Sequence, residues 1–402
     1  MEARGLRKSR AEALSLPWVY VQDQSSPLDV ARTAARPLTD AVRVVRGVAL
    51  GAGMVSSSGR VSIADVAHSA GVSQTTVSHA LNGLGRVDPR TRERVKSVAV
   101  QLGYRPNLRA QRLRTGQART IGLVSSMPSA VAGGPSRLGF YMELAAAAAE
   151  TALTRGFALV LVPPVESAEV LDSLDIDGAL VVEPDRDEVV TERLLQRGLD
   201  MVTIGRQPGT DLPWVDLGSE RVARILLEHL YSQGARRIAL VVGDSQRQSQ
   251  LEVLASYEGF VAEHGLASVV AHAAESDGEQ AGFSSVGELL VTYPDVDAVY
   301  AAVDVFAVGV VRALRDADKS VPDDVMVVTR YDGVRAQTCD PPLTAVNLQL
   351  AAVAAEAVNL LLERFDGAAS GPQPAVPDPE LIPRLSSRRT ADGHSIPPNN
   401  HA

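Results

Sequence analysis

Residues 62–116 read SIADVAHSAGVSQTTVSHALNGLGRVDPRTRERVKSVAVQLGYRPNLRAQRLRTG, and the rest of the chain is organised around this stretch. Its first part predicts two short helices broken at Gly71. Ser62, with Asp65 three residues later, is an acidic variant of the capping box, and Ser73 stands where it can cap the second helix. Helical spacing places Val66, Ala67, Ala70, Val72, Val77 and Leu81 in a small core between the two helices. It leaves Gln74, Thr75, Ser78 and His79 facing outward, the pattern of a helix-turn-helix whose second helix is offered to a DNA groove. Asp88-Pro89 then caps and starts a third helix with Val95, Val98, Ala99 and Leu102 on its inner face and Gly103 as its stop.

Charge points the same way. Between residues 60 and 119 the basic side chains Arg60, Arg86, Arg90, Arg92, Arg94, Lys96, Arg105, Arg109, Arg112, Arg114 and Arg119 are opposed only by Asp65, Asp88 and Glu93. The whole chain carries a formal charge of −9, so this block is a local departure. A basic face by itself is compatible with plain solvation; joined to a helix-turn-helix it is what a phosphate backbone selects.

At 402 residues and 45% hydrophobic, the chain can bury large cores and is expected to hold more than one domain. A single cysteine, Cys339, excludes an internal disulfide framework and a cysteine zinc cluster. No apolar run reaches the roughly 20 residues that cross a bilayer, and no signal-peptide order is present, so a cytoplasmic location with no membrane partner is expected. Walker A, dinucleotide, H-E-x-x-H and G-x-S-x-G patterns are missing, and His68, His79, His229, His264 and His272 show no metal spacing. These readings argue against an enzyme and predict no cofactor and no metal.

Residues 1–59 have no periodicity that survives over a domain, and are read as a disordered extension or a misassigned start, with Met54 as an alternative start. Residues 60–105 are the helix-turn-helix headpiece, and residues 106–118 a hinge helix and linker, too short to persist as an isolated helix. From Arg119 strands and helices alternate. Strands are expected at 121–124, 157–162, 179–182, 201–204, 237–242, 268–271, 298–302, 325–329, 345–347 and 381–385, with helices between them. Such alternation implies parallel sheets covered on both faces, and the strand count implies two lobes over 119–387 with a ligand cleft beyond the carboxyl ends of the strands. The stretch 371–379 is a proline-rich spacer, and 388–402 is expected to be a disordered tail.

Asp65-Val66-Ala67, Gly71-Val72-Ser73, Thr76-Val77-Ser78, Leu81-Asn82, Thr91-Arg92-Glu93-Arg94-Val95 and Leu102-Gly103-Tyr104-Arg105-Pro106-Asn107 closely resemble the lac-repressor family of bacterial transcription regulators. The resemblance runs on through Leu113-Arg114-Thr115-Gly116 and Thr120-Ile121-Gly122-Leu123-Val124, then more loosely to about Ser387. It implies an all-α headpiece on an α/β core like the type I periplasmic binding proteins, in a homodimer that binds double-stranded operator DNA. By family position Gln74, Thr75 and His79 read bases beside Ser78, and Asn107, Ala110 and Leu113 belong to the hinge, with Leu113 as an apolar wedge in the minor groove. His79 departs from the arginine common there. It can donate to guanine N7 or contact a phosphate, but cannot form a two-pronged guanidinium contact.

The same resemblance implies that Asp185, Arg224 and Asp332 face the interlobe cleft and bind the effector. Three positions depart from the pattern: Gly218 stands where Asp or Asn is common, Val303 replaces an Asn before Asp304, and Arg330 replaces a glycine before Tyr331-Asp332. These departures imply an effector other than a simple neutral sugar, or a degenerate pocket. The leading expectation is a sequence-specific repressor whose operator affinity is controlled by a small metabolite such as a sugar or a derivative of one. An activator of the same architecture, and a small-molecule binding protein without specific operator binding, remain as alternatives.

Overall fold

The structure is a computed structural model that describes residues 61–83, 85–105, 116–132, 139–164, 167–367 and 375–388. The chain divides into two compact units, Met1–Tyr104 and Arg105–Ala402. In the first, α1 (Ile63–Ala70), α2 (Gln74–Asn82) and α3 (Pro89–Gln101) close around Val66, Ala67, Ala70, Val77, Ala80, Val95 and Ala99. The turn between α1 and α2 is possible because Gly71 takes φ 65, the left-handed conformation that glycine adopts without a Cβ penalty. The Ser62–Asp65 capping box forms, and Ser73 Oγ accepts from Thr76 N at 3.1 Å. Asp88 caps α3 through Thr91 N at 3.0 Å.

The second unit holds two parallel sheets and a two-stranded ribbon. The first lobe is built from β1 (Thr120–Ser125), α4 (Ser129–Ala132), α5 (Phe140–Thr154), β2 (Ala158–Val162), β3 (Gly178–Val182), α6 (Val189–Gln196), β4 (Asp200–Ile204) and β5 (Trp214–Val215). Its five strands run parallel in the order β2-β1-β3-β4-β5. The second lobe follows with α7 (Ser219–Ser232), β6 (Ile238–Gly243), α8 (Gln248–Glu263), β7 (Val270–Ala273), α9 (Glu279–Thr292), β8 (Ala298–Ala301), α10 (Asp304–Asp316) and β9 (Met326–Thr329). Its parallel order is β7-β6-β8-β9. Then come α11 (Val334–Thr338), β10 (Ala345–Asn347), α12 (Leu350–Phe365) and β11 (Glu380–Ile382), with α12 returning to pack on α5 and β4 of the first lobe.

Both sheets are covered on two faces, which is why their strands read as nearly unbroken apolar runs. Along β6, Ile238, Leu240 and Val242 enter one core while Ala239 and Val241 enter the other. Two phenols anchor helices to strand ends: Tyr141 Oη donates within 2.7 Å of Leu123 O and Val162 O, and Tyr257 Oη lies 2.8 Å from Ile238 O.

Two departures from the sequence reading have local causes. The strand expected at 268–271 lies at Val270–Ala273, because Ser268 is held by Glu258 and the Val269 N–H by Tyr257 Oη. The last strand is only Glu380–Ile382, since Pro383 has no N–H to extend the ladder. It pairs antiparallel with β10 as a two-stranded ribbon apart from the parallel sheets. Among the described residues no helix is long and apolar enough to cross a membrane.

Candidate functional site

The headpiece presents α2 on a buried platform. Val77 and Ala80 point inward, while Gln74 and Thr75 at its start are exposed, and Ser78 and His79 on the next turn are half-buried. Asn82 Nδ2 donates to Ser78 O at 2.7 Å, which tightens the helix end. The His79 ring lies against Gly85, where an added Cβ would come within 2.8 Å of Nδ1. Its Nδ1 edge therefore faces its own loop. The exposed first turn of α2, with free Gln74 amide and Thr75 hydroxyl chemistry, is suited to base edges, and exposed Arg86, Arg90 and Arg94 carry positive charge nearby in the chain. Asn107, Ala110 and Leu113 lie outside the described residues.

The second candidate site is the cleft between the two lobes, at the carboxyl ends of their strands. Glu183 follows β3, Glu275 follows β7, Val303 and Asp304 follow β8, Arg330 and Tyr331 follow β9, and Arg247 precedes α8. Together with Met127, Phe140, Gln250 and Leu348 they line a cavity of only about 40 Å³, room for a few waters.

The cleft is filled by the chain's own charges. Arg330 Nη2 donates to Glu183 Oε1 at 2.9 Å, Ser249 Oγ donates to Glu183 Oε2 at 2.9 Å, and Arg247 Nε donates to the Glu183 carbonyl at 3.0 Å. Arg247 also pairs with Glu275, which accepts from Ser245 Oγ at 2.8 Å. Relative exposures of 5% for Glu183, 7% for Arg330, 4% for Arg247 and 2% for Glu275 make this a desolvated network. Burial pushes the Glu183 carboxyl up, but Arg330, Arg247 and Ser249 together hold it below the ordinary value. Asp304 ends in the other direction: burial raises it, and its pair with Arg335 at 3.2 Å only partly offsets that. Tyr331 Oη donates to Glu143 Oε2 at 2.5 Å, a further link between the lobes.

The three effector residues read from the sequence are not brought together. Asp185 sits half-buried at the rim, where its Oδ2 accepts from Gln246 N of the other lobe at 3.3 Å. Arg224 lies on the outer face of α7, held by Glu263 at 2.8 Å and Glu228 at 2.7 Å, beside an open hollow of about 760 Å³. Asp332 turns to Arg384, 2.6 Å away. Sequence reasoning missed Glu183, Arg247, Gln250 and Glu275; a usable signal existed for Glu183, which stands directly after a predicted strand. Gly218 takes φ 63 at the start of α7, a conformation that a side chain there would strain. Among the described residues no group of three or more His, Cys, Asp or Glu could hold a metal ion.

Comparison with known proteins adds to this geometry. Residues 62–107 match the family described as bacterial regulatory proteins, lacI family, and residues 227–387 match the periplasmic binding protein-like domain. The chain is 32% identical over 332 residues to the HTH-type transcriptional regulator CelR of Thermobifida fusca, covering 80% of this chain and 96% of that protein. It is 30% identical over 351 residues to the HTH-type transcriptional regulator AglR of Rhizobium meliloti, covering 84% and 97%. Among solved structures, a complex of the transcriptional regulator CelR with cellobiose matches with a TM-score of 0.61 at 30% identity, covering 81% of this chain and 100% of that one. The lac repressor dimer bound to operator and the anti-inducer ONPF matches with a TM-score of 0.66, covering 82% and 99%; at 23% identity this is a likeness of fold.

Proposed function

Because this chain belongs to the lacI family of bacterial regulatory proteins, it is a DNA-binding transcription regulator, and we propose that it is a repressor whose operator affinity is set by a small molecule in the interlobe cleft. The observation that carries the DNA reading is α2 itself: capped by Ser73, seated on Val77 and Ala80, with Gln74 and Thr75 exposed at its start. In this reading two copies of the chain bind a palindromic site in the cytoplasm. Gln74 pairs with adenine, Thr75 meets a thymine methyl or a base edge, and Ser78 and His79 contact the backbone or guanine N7. Asn107, Ala110 and Leu113 form the hinge contacts, with Leu113 wedged into the minor groove.

For the effector, Asp185 keeps a place at the rim. Arg224 and Asp332 are engaged by Glu263 and Arg384, so the contacts pass to Glu183, Arg247, Gln250, Asp304 and Arg330. A cavity of about 40 Å³ is far below the roughly 300 Å³ at which small-molecule pockets begin, so a ligand must enter an opened cleft. The test is selection of bound duplexes from a random library with the full chain, at low and near-physiological salt. A palindromic motif that persists at the higher salt, and that Gln74→Ala relaxes at one base position, is the expected result. Binding that is salt-sensitive but without sequence preference would sink the specific-repressor reading.

A further inference from the structure

The charge pattern of the cleft restricts what its ligand can be. The wall of the second lobe carries Arg247, Arg330 and Glu275, a surplus of one positive charge, with Asp304 matched by Arg335. The missing counter-charge comes from the opposite lobe, as the Glu183 carboxylate on Arg330. Arg330, buried to 7% exposure, lines this cavity, and its Nε–H has no acceptor. Phe140 stacks beneath the guanidinium at 5.8 Å, so water is kept from one side of the ion.

Opening the lobes separates Glu183 from Arg330. A ligand that closes them again must leave that pair intact within about 40 Å³ or stand in for one of its members. A neutral polyol lodged between the two would leave each buried charge without its partner, a loss that its own hydrogen bonds do not return. A carboxylate matches both what Glu183 supplies and the fork geometry of a guanidinium.

We propose that the cleft takes a carboxylate-bearing polar metabolite whose carboxylate replaces Glu183 on Arg330, with the unpartnered Nε–H as an additional donor. This rests on the reading of the cleft as the effector site. The Glu183 side chain is in this sense the chain's own stand-in for the ligand, and it swings to solvent on the first lobe when the ligand is bound. Gln250 and Asp304, on the same wall, are placed to meet hydroxyls of the incoming molecule.

The experiment uses the full chain with Glu183→Ala, melted in sodium acetate and in sodium chloride at equal ionic strength. Acetate restores the missing carboxylate, and is expected to raise the melting midpoint above that in chloride by roughly 2–4 °C once tenfold above its dissociation constant. The Glu183→Ala/Arg330→Ala double variant should lose that difference. Equal midpoints in acetate and chloride for Glu183→Ala overturn the proposal. If Glu183→Ala does not fold, calorimetry on the unmodified chain decides. Saturable binding of D-gluconate, weakened at least tenfold by Arg330→Ala, supports the proposal, whereas its absence overturns it. Saturable binding of neutral cellobiose that needs Arg330 also overturns it. Operator retention is measured in parallel. Acetate or gluconate bound through Arg330 with no change in operator affinity leaves the anion site standing and removes the effector reading. Cellobiose that shifts operator affinity does the reverse.

Discussion

Helices α9 and α10 cross through two glycines, and this contact supports a test in which one substitution gives opposite results at two positions of one helix. A Cβ on Gly282 would lie 2.2 Å from Phe306 O and 2.7 Å from Phe306 Cα, and one on Gly309 would lie 2.0 Å from Glu279 O. Carbon and carbonyl oxygen tolerate about 3.3–3.6 Å, so the helices would have to part by about 1 Å. The atoms met are backbone and cannot swing aside. Overpacking costs about 1–3 kcal/mol, and a clash with backbone falls in the upper part of that range, about 2–3 kcal/mol. Alanine returns about 1 kcal/mol of helix propensity, so Gly282→Ala is expected to destabilise by a net of about 1–2 kcal/mol. Gly287, five residues along the same helix, is exposed and has nothing within 4 Å of an added Cβ. There only the propensity gain remains, and Gly287→Ala should stabilise by about 0.5–1 kcal/mol. Urea unfolding of the full chain, followed by circular dichroism, reads both. The reasoning is refuted by a Gly282→Ala protein as stable as the parent while Gly287→Ala behaves as expected. The contact also bears on the site, since α10 begins at Asp304 in the wall of the cleft.

Three further outcomes follow from single interactions. The Glu183 carboxyl is held below its ordinary value of 4.5, so its contribution to stability is complete above that pH and is lost as pH falls through the lower folded value. Melting midpoints across the acid range should therefore decline less steeply for Glu183→Gln than for the parent; Asp304, raised by burial, works in the opposite sense in both proteins. Ser73→Ala removes the oxygen that receives Thr76 N, and should cost the headpiece about 1 kcal/mol, seen as faster hydrogen exchange along α2 and weaker operator retention. Tyr331→Phe keeps the ring edge against Phe140 but deletes the bond to Glu143. With Glu143 exposed, denaturant titration should show a loss of about 1.5 kcal/mol, the lower end of the range for hydrogen bonds to charged groups.

The headpiece was legible because its determinants are local. Ser62, Gly71, Ser73, Asp88 and Pro89 each act on the backbone within a few residues of themselves, and the inner face of each helix repeats at helical spacing. Helices such as Val189–Gln196 and Leu350–Phe365 were legible for the same reason. The two-residue strand Trp214–Val215 was not, since it is strand only by pairing with Thr203 and Ile204 at the sheet edge. The start of β7 was displaced by a tertiary bond, Val269 N to Tyr257 Oη, that no window of sequence contains.

The cleft was the least legible part because its chemistry is made of pairs. Glu183 and Arg330 are 147 residues apart, and each alone reads as an ordinary charged residue after a strand. Arg330 announced itself only as a departure from an expected glycine, and the structure supplies the reason that one side chain could not: its partner stands on the other lobe. That pairing also constrains the direction of regulation. A ligand shifts an equilibrium only by its difference in affinity for the two states. Here Glu183, Glu143 and Asp185 already supply closing contacts between the lobes. A molecule that merely adds contacts to a closed cleft has little left to change. One that takes the place of Glu183 exchanges one closed arrangement for another, whereas one too large for the closed space holds the lobes apart. Operator affinity should therefore follow whether the ligand substitutes for the pair or wedges it open, and measuring the lobe separation with each ligand tells which.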